Sequence, residues 1–192
     1  MQQTQIRPYT LAVTPAERAA LKSQRPRCIW LTGLSGAGKS TLANALETQL
    51  YGQGFHTSLL DGDNLRQGLC RGLGMDDEAR KENVRRIAEV ARLMVDAGLI
   101  VIVAAISPFR ADRDAARQLF CEGAFVEVYV STPFEVCAER DPKGLYREAR
   151  AGRIRNFTGL DSPYEAPLAA ECEINTCEVE LSQACDRLLA LL

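Results

Sequence analysis

Short, wholly apolar runs alternate along the chain with longer stretches in which apolar positions return every three or four residues. The runs predict buried strands at Cys28 to Thr32, Thr57 to Leu60, Leu99 to Ile106 and Phe125 to Val130, with a weaker one at Glu173 to Asn175. The stretches between them predict helices. Ser40 to Leu50 keeps Leu42, Ala43, Leu46 and Leu50 at helical spacing, and Glu82 to Ala97 carries a broad apolar face that stops at Gly98. Thr132-Pro133-Phe134-Glu135 reads as a helix start, with Thr132 as cap and Pro133 in the first turn, and Val179 to Leu192 as a closing helix. Strands alternating with helices predict an α/β domain around a mostly parallel central sheet flanked by helices. Such sheets bind ligands beyond the carboxyl ends of their strands, so chemistry is expected just after each one.

Three of these positions carry polar, chemically able residues. After the first strand comes Gly33-Leu34-Ser35-Gly36-Ala37-Gly38-Lys39-Ser40, followed by Thr41, which fits the phosphate-binding pattern G-x-x-x-x-G-K-[ST]. Its glycines let the backbone curl so that N–H groups face phosphate oxygens, and the following helix adds its positive dipole end. Lys39 would reach the β and γ phosphates and Ser40 would hold Mg²⁺. The second strand ends in Asp61-Gly62-Asp63-Asn64. Two carboxylates at that edge suit the two needs of phosphoryl transfer, orienting metal-bound water and accepting a proton from an attacking hydroxyl. The third ends at Ser107-Pro108.

One segment, Arg140 to Pro167, is too long and polar for a simple connection and predicts a basic, mobile lid. Between Arg140 and Arg155 six bases (Arg140, Lys143, Arg147, Arg150, Arg153, Arg155) face two acids, Asp141 and Glu148, against a net charge of −2 for the chain, which marks it for contact with bound anions. Within the lid Asp141 is the expected cap of a short helix beginning at Pro142 and ending at Gly152. Lys143, Tyr146, Arg147 and Arg150 would then share neighbouring turns over a nucleotide.

Composition narrows the class. The chain has 192 residues, 46% hydrophobic and 25% charged, as expected of one ordinary globular domain over residues 27–192 behind an N-terminal extension, 1–26. A near-neutral net charge gives no pull toward nucleic acid or membrane. Met1 to Arg27 lacks the apolar core of a signal peptide and no long apolar run follows, so the cytoplasm is the expected compartment. Seven cysteines without a C-x-x-C suggest reduced, mostly buried thiols. His56 is the sole histidine, which removes Ser-His and Cys-His nucleophile arrangements. It is expected to be structural.

A phosphate loop alone leaves motor, switch and kinase open, but no N-K-x-D guanine-reading motif is present. Arg66, and the helix residues Arg80 and Asn83 with Arg85 and Arg86 behind them, suit an acceptor that carries its own negative charge. Together the phosphate loop, Asp61-Gly62-Asp63-Asn64-Leu65-Arg66-x-Gly68-Leu69, Arg80-x-Glu82-Asn83-Val84-Arg85-Arg86, Ile106-Ser107-Pro108-Phe109-Arg110, Lys143-Gly144-Leu145-Tyr146 and Phe157-Thr158-Gly159-Leu160-Asp161-x-Pro163-Tyr164-Glu165-x-Pro167 resemble the adenylylsulfate kinases, in order from about Arg27 to Leu192.

The resemblance implies a three-layer P-loop kinase fold and transfer of the ATP γ-phosphoryl to the ribose 3′-hydroxyl of adenosine 5′-phosphosulfate (APS), with Mg²⁺, giving 3′-phosphoadenosine 5′-phosphosulfate in sulfate assimilation. It implies a homodimer; Met1 to Arg27 is too short for a sulfurylase domain, so a sulfurylase partner is expected as a separate chain. It makes Asp63 the base, Asp61 a partner of Mg²⁺ water, and Lys39 and Lys143 the cations on the transferred group. Arg66, Arg80 and Asn83 would hold the phosphosulfate, Phe157 would stack on the acceptor adenine, and Arg140 would lie against the ATP adenine. Ile106, Ser107, Gly144 and Leu145 complete the acceptor site. Family descriptions give Ser107 a phosphoserine intermediate; direct in-line transfer needs none, and the serine can instead hydrogen-bond the acceptor. Two departures stand out. Met75 replaces the phenylalanine that commonly forms one side of an adenine sandwich, and Ala79 replaces an aspartate, so the cap of that helix is lost or moved to Asp76 or Asp77. The rival readings are a kinase of another small alcohol, which would not need so many acceptor-side cations, and a nucleotide-binding module without catalysis, which would not need Lys39, Asp61 and Asp63.

Overall fold

The computed structural model describes residues 9–192; the first part of the extension, residues 1–8, lies outside them. Thr14, Pro15 and Glu17 form a capping box that starts a helix sequence reading did not anticipate, α1 (Pro15–Leu21). In chain order follow β1 (Arg27–Thr32), α2 (Lys39–Gly52), β2 (Thr57–Asp61), α3 (Gly62–Leu65), α4 (Asp77–Asp96), β3 (Ile100–Ala104), α5 (Arg110–Arg117), β4 (Phe125–Val130), α6 (Phe134–Arg140), α7 (Leu145–Arg150), β5 (Cys172–Ile174) and α8 (Leu181–Leu189). The strands form one parallel sheet in the order β2-β3-β1-β4-β5.

Alternation along the strands divides the core into two layers. Ile29, Leu31, Ile100, Ile102, Val126 and Val128 pack with α2 and α8 residues such as Leu42, Leu46 and Leu188, while Cys28, Trp30, Val101, Val103 and Phe125 pack with Val84, Ile87 and Ala91 of α4. The registers Asp61↔Ala104, Leu31↔Ala104 and Thr32↔Tyr129 bring the carboxyl ends of the strands to one edge. This edge carries the phosphate loop, Asp61-Gly62-Asp63 and Ser107-Pro108 together.

Several local expectations are corrected. Helix α4 begins five residues before Glu82, because Asp76 takes over the cap and accepts the Ala79 N–H at 2.8 Å. Thr132 does not cap α6. Its hydroxyl donates to the Ala37 carbonyl at 2.9 Å and pairs with Thr176 Oγ1 at 2.8 Å, and the helix starts at Phe134 with Pro133 in the cap position. The lid helix starts at Leu145 rather than Pro142, after Gly144 at φ 68°. Asp141 ends α6 instead, yet its carboxylate still caps α7 from a distance, accepting from Tyr146 N at 3.0 Å and Arg147 N at 3.1 Å. The closing helix is shorter than Val179 to Leu192.

His56 contributes its backbone: its carbonyl and N–H both bond the Gln24 side chain at 2.9 and 2.8 Å, tying the extension to the start of β2. Cys28, Cys70, Cys137 and Cys185 are buried, whereas Cys121 and Cys177 are exposed. Among the described residues no helix is long and apolar enough to cross a membrane.

Candidate active site

The loop after β1 bends where only glycine fits. A Cβ on Gly33 would lie 2.5 Å from the Val130 carbonyl oxygen, and one on Gly36, at φ 77°, would lie 2.8 Å from that of Cys137. The loop is thereby pressed onto the ends of β4 and α6, and the N-terminus of α2 opens behind it. Ser35, Gly36, Gly38, Lys39, Ser40 and Thr41 line a cavity of about 930 Å³, while Gly33, Leu34 and Ala37 shape the loop without lining it. Lys39 is almost fully buried, and burial pushes its ammonium down to about 8. It donates to the Gly33 and Leu34 carbonyls at 2.8 Å each, bonds it would exchange for phosphate oxygens.

Asp61 uses both carboxylate oxygens. Oδ1 caps α3 through the Asp63 N–H at 3.0 Å, and Oδ2 accepts the Ser40 hydroxyl at 2.7 Å. Two sites named separately from sequence therefore meet. A hydroxyl and a carboxylate side by side fit Mg²⁺, which keeps several waters and takes most of its remaining ligands from substrate phosphates. No cluster of three or more His, Cys, Asp or Glu among the described residues could hold a metal by protein alone.

The other half of the cavity is lined by Asp63, Arg66, Met75, Arg80, Asn83, the segment Ala104 to Pro108, and the lid residues Pro142, Lys143, Leu145 and Ile154 to Thr158. Asp63 and Lys143 form an ion pair across it, between the phosphate loop and the arginines. Arg66 donates to the Leu73 and Gly74 carbonyls at 3.3 and 3.2 Å. Arg80 is buried and donates from each of its three nitrogens: Nε to the Met75 carbonyl at 2.8 Å, and the other two to Thr158 Oγ1 and the Asn156 carbonyl. Asn83 is buried with its Oδ1 unpartnered, an acceptor held ready beside the cavity.

Ser107 stands at φ 41°, a conformation costly for a residue with a side chain. It is 3% exposed, and its hydroxyl accepts the Trp30 indole N–H at 3.0 Å and donates to the Ala105 carbonyl at 3.3 Å. Phe157 reaches the cavity wall but is mostly buried, edge-on to Tyr146 with ring centroids 4.8 Å apart. Gly144 stands at the cap of α7, outside the lining.

The basic lid divides. Arg140, Lys143 and Arg155 line the cavity, whereas Arg147, Arg150 and Arg153 do not, and Arg153 pairs with Glu148. Tyr146 is no donor to a nucleotide: buried beneath the lid, it donates its hydroxyl to the Ser35 carbonyl at 2.9 Å.

Sequence reading missed two groups. Thr176, Cys177, Glu178 to Leu181 and Ala184 line the cavity beside Arg140, whose guanidinium bonds Thr176 Oγ1 at 2.8 Å. They follow β5, so the rule that found the first three sites could have found this one, had the weak strand been trusted. The second is Arg113, whose partners are too far apart in the chain to leave a local signal, although Tyr164 beneath it belongs to the motif that carries the resemblance.

Residues 25–175 match the family model for adenylylsulphate kinase. An adenylyl-sulfate kinase of Aeromonas hydrophila is 60% identical over 181 residues, covering 94% of this chain and 92% of the relative. The bifunctional enzyme NodQ of Azospirillum brasilense is 57% identical over 95% of this chain, which spans 29% of that enzyme. Among solved structures, the APS kinase CysC of Mycobacterium tuberculosis, in complex with AMPPNP and APS, superposes with a TM-score of 0.84 at 42% identity, covering 87% of this chain and 97% of its own. With the phosphate loop, the paired aspartates and the arginine-lined wall around one cavity, and with relatives matching along nearly its whole length, this chain belongs to the adenylyl-sulfate kinase family.

Proposed function

We propose that in this chain the cavity seats ATP and APS end to end, with Asp63 as the base at their meeting point. The enzyme is an ATP-dependent adenylyl-sulfate kinase, a phosphotransferase with an alcohol acceptor, which makes 3′-phosphoadenosine 5′-phosphosulfate from APS in sulfate assimilation. The observation that carries the assignment of roles is the Asp63–Lys143 pair, set between the phosphate loop and the Arg66–Arg80–Asn83 wall.

The loop N–H groups and the α2 terminus hold the ATP phosphates, and Lys39 leaves its two carbonyls for the β and γ oxygens. The adenine lies between Arg140 and the residues after β5. Arg66, Arg80 and Asn83 grip the phosphosulfate of APS, with Asn83 Oδ1 accepting an N–H or O–H of the ligand. Phe157 and Met75 flank its adenine, and Ile106, Ser107 and Leu145 complete the seat, with Gly144 shaping the turn before Leu145. Arg80 uses three of its five N–H groups on Met75, Thr158 and Asn156, which leaves donors for the anion.

As Lys143 moves from Asp63 to the transferred group, Asp63 takes the 3′-hydroxyl proton. The oxygen attacks the γ-phosphorus in line, the bond to the β-γ bridging oxygen breaks, and ADP leaves. Ser40 and, through water, Asp61 would hold Mg²⁺, which supplies charge neutralisation on the β and γ oxygens. Ser107 holds the acceptor wall and does not carry phosphate, because its hydroxyl is buried and already bonded on both sides. Inversion at a chiral γ-phosphorus is the expected stereochemistry; net retention would restore the covalent role.

The assay is ADP release from Mg-ATP with APS as acceptor, compared with shikimate, gluconate and nucleosides. APS-dependent release alone is expected, and release with equal efficiency from an uncharged alcohol would overturn the assignment of the arginine wall. We further infer a cytoplasmic homodimer with no membrane or nucleic-acid partner, the last in keeping with the near-neutral charge. Light scattering of the purified protein tests the dimer.

A further inference from the structure

We propose that Arg113, with Tyr164 packed beneath it, is a positioning residue that sets the acceptor wall of the cavity and so governs the affinity for APS without touching it. The proposal rests on the assignment of the Ala104–Pro108 side of the cavity to APS.

Arg113 lies on α5 with its side chain 1% exposed, yet each of its three nitrogens donates a hydrogen bond. Nε donates to Glu127 Oε1 at 2.6 Å, Nη1 to the Ser107 carbonyl at 2.7 Å, and Nη2 to the Glu165 carbonyl at 2.7 Å. The ion pair with Glu127 of β4 balances the buried charge and anchors the guanidinium to the sheet. The two carbonyls are then held at fixed distances from that anchor. One belongs to the strained residue of the wall, Ser107 at φ 41°. The other belongs to the segment that closes the lid, and Glu165 returns the contact: its N–H donates to the Pro108 carbonyl at 2.8 Å and its carboxylate accepts the Arg110 N–H at 2.8 Å.

Tyr164 completes the frame. The Arg113 guanidinium stands 5.9 Å from the centre of its ring, and its hydroxyl pairs with Thr32 Oγ1 at 3.0 Å. Thr32 in turn donates to the Ile106 carbonyl at 2.7 Å. Ile106 and Ser107 are thus clamped from both sides, and both line the cavity. A planar fork that reaches three acceptors in fixed directions is a task for arginine that lysine cannot reproduce.

The test uses Arg113→Lys, Tyr164→Phe and Glu127→Gln in the full-length enzyme, with both substrates varied. Arg113→Lys is expected to raise KM for APS at least tenfold while KM for ATP stays within twofold. Tyr164→Phe should raise KM for APS severalfold with the same selectivity. Glu127→Gln keeps an acceptor for the Arg113 Nε–H but removes the charge and the Oε2 contact to Arg117, so it should lower Tm yet leave KM for APS within twofold. Parallel changes in both KM values for Arg113→Lys, or an unchanged KM for APS, would overturn the proposal. Should Arg113→Lys fail to fold, an unchanged KM for APS in Tyr164→Phe overturns it instead. Wild-type activity with APS tests the underlying reading separately, since its loss would show in every variant and in the parent.

Discussion

Asp63→Asn isolates the base. The Asp63 side chain is 62% exposed and its partner Lys143 is 51% exposed, so their ion pair contributes little to folding, at most about 1 kcal/mol after solvent screening. The start of α3 depends on Asp63 only through its backbone N–H, which Asp61 accepts, and asparagine keeps that N–H and the side-chain shape. Thermal stability should therefore stay within about 1 kcal/mol of wild type. Catalysis should not. Losing a general base costs a factor of about 10² to 10⁴, or about 2.7 to 5.5 kcal/mol of transition-state stabilisation. ATP affinity should change by less than about threefold, since the phosphate loop, Lys39 and the Ser40–Asp61 contact are untouched. Steady-state ADP release at saturating APS, with fluorescence titration of ATP, measures both. Turnover within threefold of wild type would refute the base assignment. Equal loss of ATP affinity would show that Asp63 serves the donor side.

Three other outcomes follow from local geometry. Gly36→Ala forces a Cβ to within 2.8 Å of the Cys137 carbonyl at φ 77°, so urea melts should show a loss of about 1 to 3 kcal/mol, and ATP titration a weakened donor site. Tyr146→Phe leaves the Ser35 carbonyl without its lid partner, which should cost about 1 kcal/mol in the same melts and raise KM for ATP more than KM for APS. Glu82 is held down to about 2 by hydrogen bonds from Arg85 and Arg86 on α4, below its ordinary value of 4.5. Its folded form is thus the more acidic, and the stabilisation is complete above pH 4.5 and lost as pH falls through about 2. The Tm deficit of Glu82→Gln should accordingly hold steady above pH 5 and shrink toward zero near pH 2; a deficit independent of pH would contradict it.

What was legible in the sequence is what is encoded locally. The phosphate loop announces itself because its glycines must follow one another at fixed spacing, and the sheet because buried parallel strands are continuous apolar runs. Asp61 and Asp63 were legible as a pair, but that Oδ2 of Asp61 meets Ser40 is a product of β2 and β1 both flanking β3. Helix α1 was missed although Thr14-Pro15-Ala16-Glu17 is a capping box, because none of its residues is buried and no apolar face flags it. Thr132 was misassigned because an N-cap motif cannot reveal that the same hydroxyl has a tertiary use against Ala37 and Thr176. Arg113 could not be read at all, since its acceptors at Ser107, Glu127 and Glu165 are gathered only by the fold.

The lid, expected as a mobile basic flap, is tied to both substrate sites by different residues. Tyr146 joins it to the phosphate loop at Ser35, whereas Arg80 holds Asn156 and Thr158 beside the acceptor wall, and Tyr164 reaches Thr32. Lys143 pairs with Asp63, the proposed meeting point of donor and acceptor. In-line transfer needs the γ-phosphorus and the attacking hydroxyl held in line, and under the proposed assignment this division would place each from its own side. Substitutions at Tyr146 should weigh on ATP and those at Arg113 or Tyr164 on APS. Lys143→Met should lower turnover with both substrates saturating, because it removes the cation shared by the base and the transferred group. A Lys143→Met enzyme restored to wild-type turnover by raising APS alone would show instead that the lysine serves only to bind the acceptor, and the lid would then belong to one half of the site.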